Sequence, residues 1–154
     1  MGDYLFGNPP LFIIRGIILW SCIINKTTIN YRSSWENRFC HWLDQNQSVL
    51  KWGYEIISIP YRYDIDRRVH KYIVDFYAEI MNRDGKVEKY LIEVKPKKQG
   101  MKPTMPKRKS IKSMKNYFYE SHAYIKNQNK WAYAQSYCNS NGMTFKIVNK
   151  ENLF

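Results

Sequence analysis

Residues 72–98 read YIVDFYAEI (72–80), MNRDGKVEK (81–89) and YLIEVKPKK (90–98), and this stretch decides the fold. Two apolar runs flank a turn containing Asp84 and Gly85. That pair closes tight hairpins, because glycine takes a positive φ without penalty. The runs predict an antiparallel hairpin with strands over 72–81 and 87–95. Asp75 sits in the first run; Glu93 and Lys95 sit in the second, two residues apart. On a strand, positions i and i+2 point to the same face, roughly 6–7 Å apart. One sheet surface is therefore expected to carry Asp75, Glu93 and Lys95 among Tyr, Ile, Val and Phe. Charges are rarely buried in such surroundings unless they are paired or hold a metal.

The arrangement resembles the PD-(D/E)xK motif of restriction-endonuclease-like nucleases: Asp75, and then Glu93-Val94-Lys95 on the second strand. Val74 stands where the motif usually has proline, a residue that is not a metal ligand.

Composition narrows the function. The chain has 154 residues, enough for one domain with a real core. Its hydrophobic fraction of 44% and aromatic fraction of 16% exclude a disordered tail. The net charge of +12 points to a polyanionic partner, most simply nucleic acid, although a merely soluble basic protein has the same balance. Cys22, Cys40 and Cys138 are odd in number and widely spaced, which suits a reducing cytoplasm. With three scattered histidines and no Cys/His cluster, a structural zinc site is not expected.

Along the chain, residues 11–24 (LFIIRGIILWSCII) form an apolar run interrupted by Arg15 and Gly16. It is short for a spanning helix, which needs about 20 residues, and no membrane role is expected. It reads either as a segment packed on the core or as a docking surface for a partner. Residues 33–46 predict an amphipathic helix with Trp35, Phe39, Trp42 and Leu43 on one face. Ser33 and Glu36 fit a capping box, and Glu36 also borders the apolar face, where it would point toward Asp75. Residues 53–61 read as the first strand.

After the hairpin comes PKKQGMKPTMPKRK, a loop by its proline and lysine content. From Lys95 to Lys115 there are nine Lys or Arg and no carboxylate. A charge run is often only a solvated face; its place directly after Lys95 favours contact with backbone phosphates. Residues 107–127 show helical period, with Ile111, Met114, Phe118, His122 and Ile125 on one stripe. A second helix is expected over 129–139 with Trp131, Ala134 and Cys138 inward, ended by Asn141-Gly142. Residues 143–148 read as a final strand. The element order predicts an α/β domain, a mixed β-sheet flanked by helices.

That order is similar to the restriction-endonuclease-like core, and the resemblance extends over longer blocks. YRSSWENRFCHWLDQN, SVLKWGYEIISIPY, HKYIVDFYAEI, LIEVKPKKQ and NKWAYAQSYCNSNGMTFKIVNKENL look, in that order, like the head-completion nucleases of tailed phages. More distantly they look like the endonuclease that cuts transposon ends. The blocks cover roughly residues 31–153, so residues 1–30 are read as a divergent N-terminal segment and 31–154 as the nuclease domain. The resemblance implies a protein acting in phage head completion around packaged DNA. It would work in the host cytoplasm during assembly or on the virion, with portal, neck or capsid proteins as further partners. Glu36, Asp75, Glu93 and Lys95 match the catalytic positions, and the Val94 carbonyl matches a metal ligand.

The chemistry agrees with that implication. Phosphodiester hydrolysis requires an activated water and neutralised charge at phosphorus, and a hard divalent cation supplies both. Mg²⁺, or Mn²⁺ in its place, takes oxygen ligands and typically one or two carboxylates, here Asp75 and Glu93. Lys95 would orient water and stabilise charge; its pKa near a metal and a phosphate can move either way, so a general-base role stays open. Lys97, Lys98, Lys107, Arg108, Lys109, Lys112 and Lys130 would hold the DNA backbone, a mode that reads no bases. The alternative is a DNA-binding head or neck component whose nuclease site is inactive or incidental.

Overall fold

The computed structural model describes residues 11–14, 17–20, 22–24 and 29–149. Strands β1 (Leu11–Ile14) and β2 (Ile17–Trp20) pair as a separate antiparallel hairpin, and β3 (Cys22–Ile23) joins the main sheet. The expected packing or docking of the 11–24 side chains lies outside the described residues, apart from half-buried Ile24. Helix α1 (Ser34–Gln45) starts at Ser33, whose side chain accepts from the Glu36 N–H. Phe39, Cys40 and Leu43 are buried on it, at helical spacing.

Strand β4 (Val49–Tyr54) enters the main sheet, and β5 (Ser58–Arg62) leaves it to pair with β6 (Val69–Ile73). The chain returns as β7 (Phe76–Met81) and β8 (Val87–Val94), which form the expected hairpin around Gly85 at φ +78°. The short α2 (Lys97–Gly100), the long α3 (Ile111–Ser140) and β9 (Thr144–Val148) complete the domain. The main sheet runs β3-β4-β7-β8-β9, with parallel pairs at its two ends and antiparallel pairs between, so it is mixed as expected.

Alternation along β8 sends its side chains to two cores. Ile92 and Val94 meet Phe39, Cys40 and Leu43 of α1 together with Trp52 and Phe76. Leu91 meets Ala134 and Cys138 of α3 together with Ile59, Tyr61 and Tyr72 of the β5-β6 pair.

Three expectations are corrected. Residues 53–61 are not one strand but the end of β4 and most of β5, in different sheets. The chain turns at Glu55, whose φ is +53°, and a side chain at Gly53 would come within 2.7 Å of Ile56 Cδ1. Residues 72–81 are likewise two elements, and Asp75 lies in the bend between β6 and β7 rather than within a strand. The Glu55 N–H donates to the Asp75 carbonyl, and the Val74 N–H to the Ile57 carbonyl, so the two sheet crossings brace each other.

The helices expected over 107–127 and 129–139 are one helix of 30 residues. At the join between the two expected ranges, Asn127 and Asn129 donate outward to the Gln99 carbonyl and to Asp64 and leave the helical backbone intact. On α3, Ile111 is 92% exposed, and only Ala134 and Cys138 are buried.

Candidate active site

The site forms where β8 outruns its partner. The β7-β8 ladder ends at Phe76 opposite Ile92, so the backbone of Val94 has no strand beside it on that edge. The Asp75 carboxylate fills the gap, its Oδ2 accepting from the Val94 N–H at 2.9 Å. The Lys95 N–H points the other way and donates to the Val148 carbonyl of β9. In a strand, the N–H and C=O of one residue share an edge. The Val94 carbonyl therefore opens on the same edge as Asp75.

Glu93 is nearly sealed, at 1% exposure. A buried carboxylate must be compensated, and here two groups do so. The Tyr72 hydroxyl donates to Oε2 at 2.7 Å, and the Lys95 ammonium lies 3.0 Å from Oε1. Burial, and then Glu93, push the Asp75 carboxyl up to about 7, against the Val94 N–H and Lys95, which pull it down. Burial works to lower the Lys95 pKa, but Glu93, Asp75 and Glu36 outweigh it and hold the ammonium above its usual value. Lys95 is thus a cation in this arrangement. Burial pulls Lys130 the other way, below the usual lysine value, and its Nζ sits 5.0 Å over the Tyr72 ring.

Glu36 approaches from α1. Its Oε2 accepts from the Tyr54 hydroxyl at 2.7 Å and the Arg32 N–H at 3.0 Å, and its Oε1 from the Ser33 hydroxyl at 2.8 Å. The capping box is real, and Glu36 still contributes to the fields at Asp75 and Lys95 as the smallest of the named influences.

The structure thus brings Asp75, Glu93, Val94 and Lys95 together, with Lys130 beside them. Lys97, Lys98, Lys107, Arg108, Lys109 and Lys112 are exposed along α2, the following loop and the start of α3. Tyr72 and Tyr54, which position the two glutamates, were not foreseen; nothing in an alternating aromatic run distinguishes a hydroxyl aimed at a carboxylate.

The residues suit a hard divalent cation. Asp75 Oδ1 accepts no hydrogen bond from the described residues, Glu93 is an oxygen donor beside it, and the Val94 carbonyl shares the edge. Among the described residues, no three His, Cys, Asp or Glu side chains converge to enclose an ion. Two carboxylates with a backbone oxygen match the habit of Mg²⁺, which keeps several waters.

Comparison with known proteins places the chain in a family. The family described as "TnsA-like endonuclease N terminal" matches residues 46–150, a span that contains Asp75, Glu93, Lys95 and Lys130. The "Head completion nuclease" of Enterobacteria phage T4 is 32% identical over 125 residues, covering 81% of this chain and 81% of the relative. No solved structure matches significantly. The mixed sheet and its flanking helices are the restriction-endonuclease-like fold, and the chain belongs to the TnsA-like endonuclease family.

Proposed function

We propose that this protein is a divalent-metal-dependent deoxyribonuclease, an endonuclease nearly blind to base sequence, acting on packaged DNA in phage head completion. The observation that carries the reading is the desolvated Asp75 beside the sealed Glu93 at the open edge of Val94. Burial and the Glu93 charge raise the cost of ionising Asp75, and a bound dication would remove that cost. The similarity to a phage head completion nuclease supports a role in head completion. Neck, portal or capsid proteins as partners, and the host cytoplasm or virion as the setting, are part of the same proposal.

Asp75, Glu93 and the Val94 carbonyl would hold Mg²⁺ or Mn²⁺. When bound, such an ion supplies charge neutralisation at the phosphate and makes water more acidic. Tyr72 fixes the Glu93 carboxylate from behind, and Tyr54 fixes Glu36. Lys95, already an ammonium, would hold the attacking water and meet negative charge growing on the phosphate. Glu36 adds negative potential on the α1 side, which favours the cation. Lys97, Lys98, Lys107, Arg108, Lys109, Lys112 and Lys130 grip backbone phosphates, which carry no base information.

The test is digestion of linear and closed-circular DNA under EDTA, Ca²⁺, Mg²⁺ and Mn²⁺, beside Asp75→Ala and Glu93→Gln proteins. Cutting is expected with Mg²⁺ or Mn²⁺ only, as a smear, and in neither variant. Cutting in EDTA or by Asp75→Ala would overturn the mechanism, and discrete bands would refute sequence blindness. No cutting under any metal would favour the DNA-binding structural role.

A further inference from the structure

Helix α3 is about 45 Å long at 1.5 Å per residue. Ala134 and Cys138 near its end are buried against Leu91. Followed backward at helical spacing of three or four, the same stripe reads Lys130, Lys126, Ala123, Tyr119, Lys115 and Lys112. The stripe that is core at one end of the helix is therefore basic and aromatic at the other. Phe118 is 56% exposed and Tyr119 78% exposed.

Tyr63, at the end of β5, faces this part of the helix, its hydroxyl 3.5 Å from the His122 carbonyl. Together Tyr63, Phe118, Tyr119, His122, Ala123 and Lys126 line a cleft of about 530 Å³. From residue 107 to residue 130 there are seven Lys or Arg and one carboxylate, Glu120, which pairs with Lys98 at 3.9 Å.

We propose that this cleft receives unpaired bases of the DNA strand, so that the preferred substrate is a duplex with a single-stranded tail or frayed end. The proposal rests on the nuclease reading of the carboxylate site. Exposed aromatic rings interleaved with lysines are what single-stranded DNA requires, since the rings stack bases of any kind and the ammonium groups follow the phosphates. An acidic protein could satisfy the lysines, but it leaves the exposed Phe118 and Tyr119 rings unexplained.

The direction is also right. Lys130 stands at the catalytic carboxylates, over Tyr72, whose hydroxyl holds Glu93. Tyr119 lies eleven residues back, about 16 Å along the helix. That distance spans about five stacked nucleotides at 3.4 Å each, or fewer if the strand is extended. A strand leaving the site along α3 thus meets Lys126 and then the ring cluster.

The experiment is fluorescence anisotropy in EDTA, with a blunt duplex and the same duplex carrying a short oligothymidine tail of either polarity. The wild-type protein should bind one tailed duplex more tightly than the blunt one. Phe118→Ala with Tyr119→Ala should remove that preference and leave blunt-duplex affinity unchanged, a loss of roughly five- to a hundred-fold per stacked base. Trp at these positions should restore it and Leu should not. Ultraviolet cross-linking of 5-iodouracil in the tail should map to Phe118, Tyr119 or Tyr63.

Absence of a tail preference in the wild type overturns the proposal, as does equal loss on both duplexes. Full rescue by Leu also overturns it, since an apolar side chain without a ring would then suffice. Because binding is read without metal, the two readings fail separately. Tail preference without cutting would sink only the nuclease reading, and metal-dependent cutting without tail preference would sink only this one.

Discussion

Replacing Asp75 with Asn should make the metal-free protein more stable. Burial and Glu93 raise the Asp75 carboxyl from 3.8 to about 7. A raised carboxylate pKa means that the folded state keeps a proton that the unfolded chain gives up. Below pH 4 both states are protonated and Asp75 has no cost. Between pH 4 and 7 the cost grows by about 1.4 kcal/mol per unit, and above pH 7 it levels off near an upper limit of about 4 kcal/mol. Asparagine removes the charge, while its carbonyl oxygen can still accept from the Val94 N–H. Asp75→Asn should therefore gain about 2–4 kcal/mol at pH 8, roughly 5–15 °C in Tm for a domain of this size. The assay is thermal or urea unfolding in EDTA from pH 5 to 8, beside the wild type. The gain should shrink as pH falls, and Mg²⁺ should raise the Tm of the wild type but not of the variant. An asparagine variant no more stable than wild type at pH 8, or a gain that ignores pH, would refute the reasoning.

Other outcomes follow from the same contacts. Tyr72→Phe removes the hydroxyl from a sealed carboxylate and should cost about 1–3 kcal/mol in chemical denaturation, with slower cleavage. Glu36→Gln can keep the bonds to Ser33, Arg32 and Tyr54, so Tm should hold while cleavage falls at least about tenfold, a loss of about 1.4 kcal/mol of transition-state stabilisation; unchanged cleavage would leave Glu36 a cap only. Lys107→Ala, Arg108→Ala and Lys109→Ala together should flatten the slope of log K on log salt by up to about 2.7, at roughly 0.9 per duplex phosphate. An unchanged slope would make that stretch a solvated surface.

What the sequence made legible is local. Asp84-Gly85 set the β7-β8 hairpin, with Gly85 at positive φ, and Ser33 with Glu36 set the start of α1. The residues of the D…ExK pattern were legible too, but not the way they meet. Val69–Met81 contains no proline or glycine, so no turn residue marks the point where the chain changes sheets. That point is braced by Glu55, distant in sequence, whose N–H donates to the Asp75 carbonyl. Asp75 thus reaches Val94 from a bend, across a strand edge, rather than from the sheet face that alternation predicts. The Ile111–Ile125 stripe was legible as a face, but not as an uncovered one. Periodicity shows that a helix has a face, but not whether a sheet extends far enough to cover it.

A metal-dependent nuclease at this edge requires that a divalent ion bind there. The measurement is anomalous diffraction from crystals of the protein soaked in Mn²⁺. The predicted result is one strong peak in reach of Asp75, Glu93 and the Val94 carbonyl, lost in Asp75→Asn crystals. A peak elsewhere, or none at that edge while Lys95 stays on Glu93, would contradict the account.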